Sequence, residues 1–514
     1  MNKRLNNQNV ILEEPDQKSF WAKIHIIALV GFLIRLILVF TSDYIIHPDE
    51  IFQYLEQAHR LEFDYGIIPW EYRYGIRSWI LPGLLFGLLH TLHAMHLDNP
   101  NFYIPIIKMF FCILSISLVY SSYFIVRNIA SEDAGRLASL FTCFWYELIY
   151  FSSKPTPEVL SAYLLIFSIV FLVVRPTRKN AVLFSFFSAL SLILRFQYLP
   201  VVFVLMILGI FRWNKKDFLI CGIVFIFTVA FAGYIDYLTW GSFFASYYNN
   251  YLYNAIYKVS DLFGAESRFY YIKSLISSSK GLFLIFGFLS LLLSKINKTW
   301  LLLLCILATI VPHSLIAHKE HRFIFAAIPL FLMLIAIITS DFISQLKHWK
   351  YAHKKIILYS LVSLVCLQTI NALFLKIPLP GRAYSSTISK SAILSAYLFL
   401  YKESDLVAVS NAYSDWSLTG GYYYLHRNVP IYYPDNLKMI QPDTYKLYVS
   451  HIICNHNDRP IPDFKTVFRS GDLEIRKVVS PPDQYRDLGI DTVNVLQQGV
   501  DGHLPKPTFT PRLN

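Results

Sequence analysis

Charge is scarce in this chain. Of its 514 residues, 16% are Asp, Glu, Lys or Arg, while 55% are hydrophobic and 17% aromatic. Soluble domains carry about 25% charged residues, so a soluble globular protein is excluded and an integral membrane protein is expected. Cysteine is sparse as well. Cys112, Cys143, Cys221, Cys305 and Cys366 lie in apolar runs, and Cys454 falls in a polar region. Without paired spacing they offer no disulfide framework, zinc site or redox motif. A cleavable signal pattern is also lacking. Met1 to Ala22 is polar, so the first apolar run, about 24–41, is expected to stay as an anchor. Short repeats and low-complexity tracts are missing too.

What the chain does have is apolar runs of membrane-spanning length, each long enough for a hydrocarbon core of about 30 Å. They read as about eleven transmembrane helices: 24–41, 103–126, 136–152, 158–174, 181–197, 199–211, 218–235, 281–294, 300–317, 323–340 and 355–376. The net charge of +12 sits mainly in short connectors between these runs, such as Arg127 and Arg136, or Arg175, Arg178 and Lys179. That pattern sets topology and meets anionic membrane lipids; nucleic acid is not expected as a partner. With the N-terminus inside, these connectors are cytoplasmic, provided that 78–95 does not cross. It contains Pro82, Gly83, Gly87, His90 and His93, and is expected to be re-entrant or interfacial, backed by protein or a wet cavity.

This topology puts 42–102, 236–280 and the turn 318–322 on the outer side. Residues 1–376 form the expected membrane domain, with 42–102 as its outer loop. Residues 377–514 form a small C-terminal extramembrane α/β domain, with strand-like runs at Asp405–Ser410 and Tyr445–Ser450. The polar stretch Pro481–Asn514 reads as partly disordered.

The chemistry-bearing residues concentrate on that outer side. His47-Pro48-Asp49-Glu50 follows the first span, with Pro48 suited to the first position of a helix and two acids in its opening turn. Ordinary capping accounts for such acids, because the helix dipole favours them. Along the helix, Asp49, Gln53, Glu56 and Arg60 recur on the side expected to face an aqueous cleft. Next come Trp70 and Glu71 in an aromatic turn, and Arg77, whose guanidinium suits an oxyanion. The second cluster, His318-Lys319-Glu320-His321-Arg322, gathers cationic donors at the depth where a lipid phosphate lies. Arg195 and Gln197 interrupt an apolar run; a charge there faces a cavity or snorkels to the interface. Lys154, Thr156 and Glu158, between two spans on the outer side, are a weaker signal of the same kind that simple loop residues also account for.

The segments His47–His59, Trp70-Glu71, Ile76–Ser78 and His318–Phe323 together resemble the glycosyltransferase family 22 mannosyltransferases. Asp236, Trp240-Gly241, Asn249-Asn250-Tyr251, Phe263-Gly264 and Phe269–Tyr271 follow the family's order. That family includes the enzyme adding the third mannose to the glycosylphosphatidylinositol (GPI) core and those elongating lipid-linked oligosaccharide. The resemblance covers about 24–340; the tail matches less clearly. It implies an all-α polytopic GT-C fold and an inverting mannosyltransferase, with a polyprenyl (dolichyl) phosphate sugar donor and a glycolipid acceptor. Asp49 and Glu50 are then the catalytic signature, either one being the base. His318, Lys319, Arg322, Arg77 and Arg195 are the donor-phosphate clamp, and His47, Trp70, Glu71, Gln197 and Asp236 the substrate contacts.

The scheme calls for no cofactor or metal. It fits a bacterial inner membrane or the endoplasmic reticulum equally, the compact connectors leaning toward the former. A transporter or flippase of a lipid-linked sugar is the competing class. It fails to explain why ionisable groups gather on one side rather than at the midplane. A non-catalytic scaffold subunit is a third.

Overall fold

The computed structural model describes residues 17–41, 48–285, 299–345, 387–433 and 441–494, with Phe288 and several positions between 360 and 370. His47 and most of the expected spans 281–294 and 355–376 lie outside the described residues. The chain is mostly helical. Among the described residues, four helices are long and apolar enough to cross a membrane. They are α1 (Gln17–Thr41), α5 (Pro100–Ile129), α11 (Lys215–Trp240) and, from their order below, α15 (Ala327–Gln345). A bent pair, α7 (Tyr146–Tyr150) with its 3-10 extension to Ser153 and α8 (Pro157–Val173), makes a fifth.

Other expected spans are shorter helices: α6 (Glu132–Phe144), α9 (Arg178–Leu194), α10 (Leu199–Arg212) and α14 (Trp300–Leu315). At about 1.5 Å per residue a 14-residue helix reaches only about 21 Å, which is why length alone admits fewer spans than the eleven read from the sequence. The connectors 174–178 and 212–217 meet at one end of the bundle. There Arg212 donates to the Leu172 and Val174 carbonyls, and Arg178 to Asp217 at 2.9 Å.

The opposite end carries the segments expected on the outer side. Pro48 opens a helix that runs as a π-turn over Glu50–Leu55 before continuing as α2 (Glu56–Phe63). It is followed by α3 (Trp70–Arg73) and α4 (Ile80–Ala94), the latter at the stretch expected not to cross. Further along are α12 (Ala245–Tyr251) and α13 (Tyr270–Ser279). After α16 (Thr387–Lys402) come β1 (Val409–Asn411), α17 (Gly421–Leu425), β2 (Ile431–Tyr432), β3 (His451–Asn455), β4 (Phe464–Ser470) and β5 (Leu473–Val478).

These strands form one small sheet in the order β2-β1-β3-β5-β4, parallel through β2, β1 and β3 and antiparallel at β5. Gly471, at φ +62°, makes the tight β4–β5 turn that glycine favours. The run Tyr445–Ser450 is not a strand. Pro442 starts a 3-10 turn over Pro442–Leu447, and the strand begins at His451.

Two cores result. One fills the bundle around α5, α6, α8 and α15. The second joins Ile51, Phe52, Leu55 and Ala58 of the outer helix, and Leu85 and Ile104 of α4 and α5, to Tyr397, Tyr423, Ile453 and Ile475 of the C-terminal segment.

Candidate functional site

Two prolines build the first wall of the site. Lys154 and Thr156 each precede a proline, which drives them out of the helical region. Their backbones are extended (φ −102°, ψ 114° and φ −111°, ψ 147°), and the chain turns through 116° between the Tyr146–Ser153 segment and α8. The bend carries Lys154 and Glu158 inward, where both are buried. The Lys154 ammonium lies 3.3 Å from Glu50 Oε1, and Arg195 donates to Glu158 Oε1 at 2.6 Å. Arg195 is placed by a second break, an extended residue (φ −145°) between α9 and a 3-10 turn.

The turn 318–322 forms the facing wall. Arg322 is buried, and its Nη2 donates to Asp49 Oδ2 at 2.6 Å; its Nε donates to Glu320 at 2.8 Å, and its Nη1 lies 4.0 Å from Glu158. Burial works against the Arg322 charge, but Glu320, Glu158 and Asp49 outweigh it and hold the guanidinium well above its ordinary pKa. The Phe323 ring sits between two guanidinium carbons, Arg195 at 4.7 Å and Arg322 at 5.5 Å. His318 presents Nδ1 to the Gly264 carbonyl at 2.9 Å and Nε2 to Glu320 at 3.1 Å. Both partners are acceptors, an arrangement that favours the doubly protonated ring. Burial alone would lower its pKa, but these contacts raise it.

Beside the first wall, a solvent-open cleft of about 550 Å³ is lined by Tyr54, Arg77, Arg195, Gln197, Ser246 and Asn250, among others. Burial opposes the charge of Arg77, and Tyr54 with the Glu71, Asp49 and Glu158 carboxylates more than offsets it, raising its pKa. The Nε of Arg77 and of Arg195 are buried and unpartnered, as is Glu158 Oε2. Polar atoms left without partners in a cleft are costly unless a ligand or water meets them. A second, almost wholly apolar groove of about 460 Å³ adjoins it, sharing Ile193, Phe196 and Tyr247 with the cleft and adding Leu192, Leu199, Val229 and Phe244.

Of the residues singled out in the sequence, Arg195, Arg77 and Gln197 line this cleft, and the Asp49–Arg322 pair adjoins it through Glu158, which Arg195 and Arg322 both approach. Glu50 lies beside them, paired with Lys154. Glu71 accepts from Gln53 Nε2 at 2.7 Å. Three others point elsewhere. Lys319 donates to the Glu266 and Ala317 carbonyls, and Trp70 is packed with Tyr74, Ile76, Tyr253 and Val259. Asp236 accepts from the Ser246 backbone and hydroxyl at 2.9 and 2.7 Å, bracing a cleft residue from behind.

Glu56 does not face an aqueous cleft; it is fully buried against backbone N–H groups. The π-turn ahead of it, with its i to i+5 spacing, shifts the phase that a regular helix would keep. From the sequence Glu158 and Lys154 fit simple loop residues, and Glu320 and Phe323 carry no role of their own within the second cluster. The signal for the first two was an acid and a base within five residues between apolar runs.

Residues 26–389 match the Alg9-like mannosyltransferase family. The chain belongs to that family. It is 24% identical over 315 residues to GPI alpha-1,2-mannosyltransferase 3 of Bos taurus, covering 59% of this chain and 56% of that protein. To GPI mannosyltransferase 3 of Yarrowia lipolytica it is 29% identical over 318 residues, covering 60% and 61%. The matches thus span under two thirds of those curated relatives. The fold is shared with ArnT from Cupriavidus metallidurans, solved bound to undecaprenyl phosphate. The TM-score is 0.53 at 10% identity, covering 93% of this chain and 99% of that one. The GT-C architecture implied by the family motifs is therefore the architecture this chain has.

Proposed function

We propose that the chain transfers mannose from a polyprenyl phosphate to a hydroxyl of a glycolipid or lipid-linked glycan, on the outer or lumenal face of its membrane. The observation that carries this reading is the 2.6 Å contact between Asp49 and Arg322. It joins the acid motif after the first span to the basic turn 273 residues later, so a proton acceptor and a phosphate partner stand side by side next to the cleft that Arg195 and Arg77 line. The family relatives carry mannosyltransferase names, and ArnT was solved with a polyprenyl phosphate; the apolar groove beside the cleft suits such a lipid chain.

The two acids divide the work. Glu50 is the more enclosed, its side chain 5% exposed and neutralised by Lys154, whereas the Asp49 side chain is 21% exposed. Asp49 is therefore assigned as the base. The acceptor oxygen attacks the anomeric carbon from the face opposite the phosphate, and Asp49 takes the hydroxyl proton. The bond from the anomeric carbon to the phosphate oxygen breaks, and its electron pair leaves on the phosphate, giving inversion. Arg322, Arg195 and Arg77 meet the charge that grows there. The incoming phosphate competes for Arg322 and so frees the Asp49 carboxylate it holds at rest.

The test is transfer by the purified protein in nanodiscs, using radiolabelled polyprenyl-phosphate mannose, a panel of lipid glycans and product linkage analysis. Asp49→Asn is expected to lower turnover by about 10²- to 10⁴-fold, with the protein still folded. Turnover preserved in that variant overturns the assignment.

A further inference from the structure

The helix that carries Asp49 and Glu50 is fastened at its far end by Glu56, two turns on. This carboxylate is 0% exposed and accepts three backbone N–H bonds: Ile67 at 2.8 Å, Tyr422 at 3.1 Å and Tyr423 at 2.8 Å. The last two donors belong to α17, 366 and 367 residues away along the chain. The fit is close. Gly421 adopts φ +59°, and a Cβ there would lie 2.5 Å from Glu56 Oε2, so only glycine allows the approach. Neighbouring contacts repeat the attachment. Phe52 meets Trp416 edge-on at 4.9 Å and His59 Nε2 lies 3.0 Å from His426 Nδ1; on α5, off this helix, the Tyr103 hydroxyl donates to the Tyr423 carbonyl.

We propose that Glu56 is a positioning residue through which the C-terminal segment holds the acid-bearing helix in register with the Arg322 wall. The inference rests on the reading of Asp49 as base. A carboxylate can accept three N–H bonds at once, whereas an amide offers one acceptor oxygen and turns an NH₂ toward donors. Loss of this clasp lets the helix drift, and a displacement of about 1 Å at a reacting group is enough to cost about a hundredfold in rate. Donor binding, set by the arginines and the apolar groove, does not pass through Glu56.

The experiment uses the full chain in nanodiscs with polyprenyl-phosphate mannose and its lipid-glycan acceptor. Glu56→Gln, Gly421→Ala and their double variant are compared for kcat and donor KM, with hydrogen exchange followed over 48–63. Each single change is expected to lower kcat by about ten- to a hundredfold, with donor KM within about twofold of the parent. Exchange over 48–55 rises, and the double variant is no slower than the worse single one, because both break one contact. Tyr103→Phe, on the same docking face but off this helix, keeps kcat within about twofold.

A folded Glu56→Gln protein with unchanged kcat overturns the proposal, as does a loss of kcat without a rise in exchange over 48–55. If Glu56→Gln does not fold, Gly421→Ala decides by the same criteria. If Asp49→Asn leaves turnover intact, the base assignment fails on its own, and exchange over 48–55 still reports whether Glu56 holds the helix.

Discussion

Glu71 shows how one residue trades stability for a place beside the cleft. Burial pushes its carboxyl from 4.5 up to about 7; Arg77 opposes the shift, the Asp49 charge adds to it, and the Gln53 N–H opposes it. Because the folded-state pKa is the higher one, the stability linked to this group is fully present below about 4.5 and is lost as pH rises through about 7. Glu71→Gln keeps an oxygen for the Gln53 N–H and removes the cost of a buried charge. The variant should therefore be more stable than the parent by about 2 kcal/mol at pH 8, and by less than about 1 kcal/mol at pH 5. Thermal unfolding in detergent at the two pH values checks this, and an equal gain at both refutes it. At this scale the sequence was most informative where ionisable groups stood out against an apolar chain, as Asp49, Arg195 and Arg322 do. It leaves Glu158 and Lys154 looking like loop residues, because their burial depends on a 116° bend that no periodicity records.

At the scale of elements, the Lys154–Glu50 pair ties the π-turn to the proline-broken junction of α7 and α8. Both side chains are about 95% enclosed, at 4% and 5% exposed. Lys154→Met strips a buried carboxylate of its counter-charge, which typically costs about 3 to 5 kcal/mol. Adding Glu50→Gln removes the charge itself and should recover a large part of that loss. A double-mutant cycle on unfolding free energies measures the coupling; additive losses would mean that the pair does not hold the two elements together. Helix positions were legible because apolar runs are long and unambiguous: the run read at 103–126 is α5, and that at 158–174 is α8. The π-turn was not, since the same residues fit a regular helix until Glu56 is found on the wrong side. The strand expected at Tyr445–Ser450 failed because a 3-10 turn over Pro442–Leu447 takes its first half, although Tyr445, Tyr448 and Val449 read as β-formers.

For the whole molecule, the decisive feature is that the C-terminal sheet keeps only a small cluster to itself, around Tyr432, Ile452 and Cys454, and shares its larger core. Ile453 and Ile475 from β3 and β5 pack in the same cluster as Phe52, Leu55 and Leu85 from the outer helices, together with Tyr423 of α17 and Tyr397 of α16. Sequence composition marks the tail as a separate α/β unit because its polarity changes after the last apolar run. Composition carries no record of which faces meet, and the sheet edges and outer helices are too short to bury themselves alone. A chain ending at residue 386 would lose one side of this cluster and leave Ile51, Phe52, Leu55 and Ala58 against solvent, an exposed apolar patch of the kind that invites aggregation. Limited proteolysis in nanodiscs should then cut within 48–94 at least about tenfold faster than in the full chain, because cleavage tracks the population of open forms. The bundle helices around α5, α6 and α15, which have their own core, should stay protected in the same digest. Equal protection of 48–94 in the shortened chain would mean that the outer helices stand without the sheet.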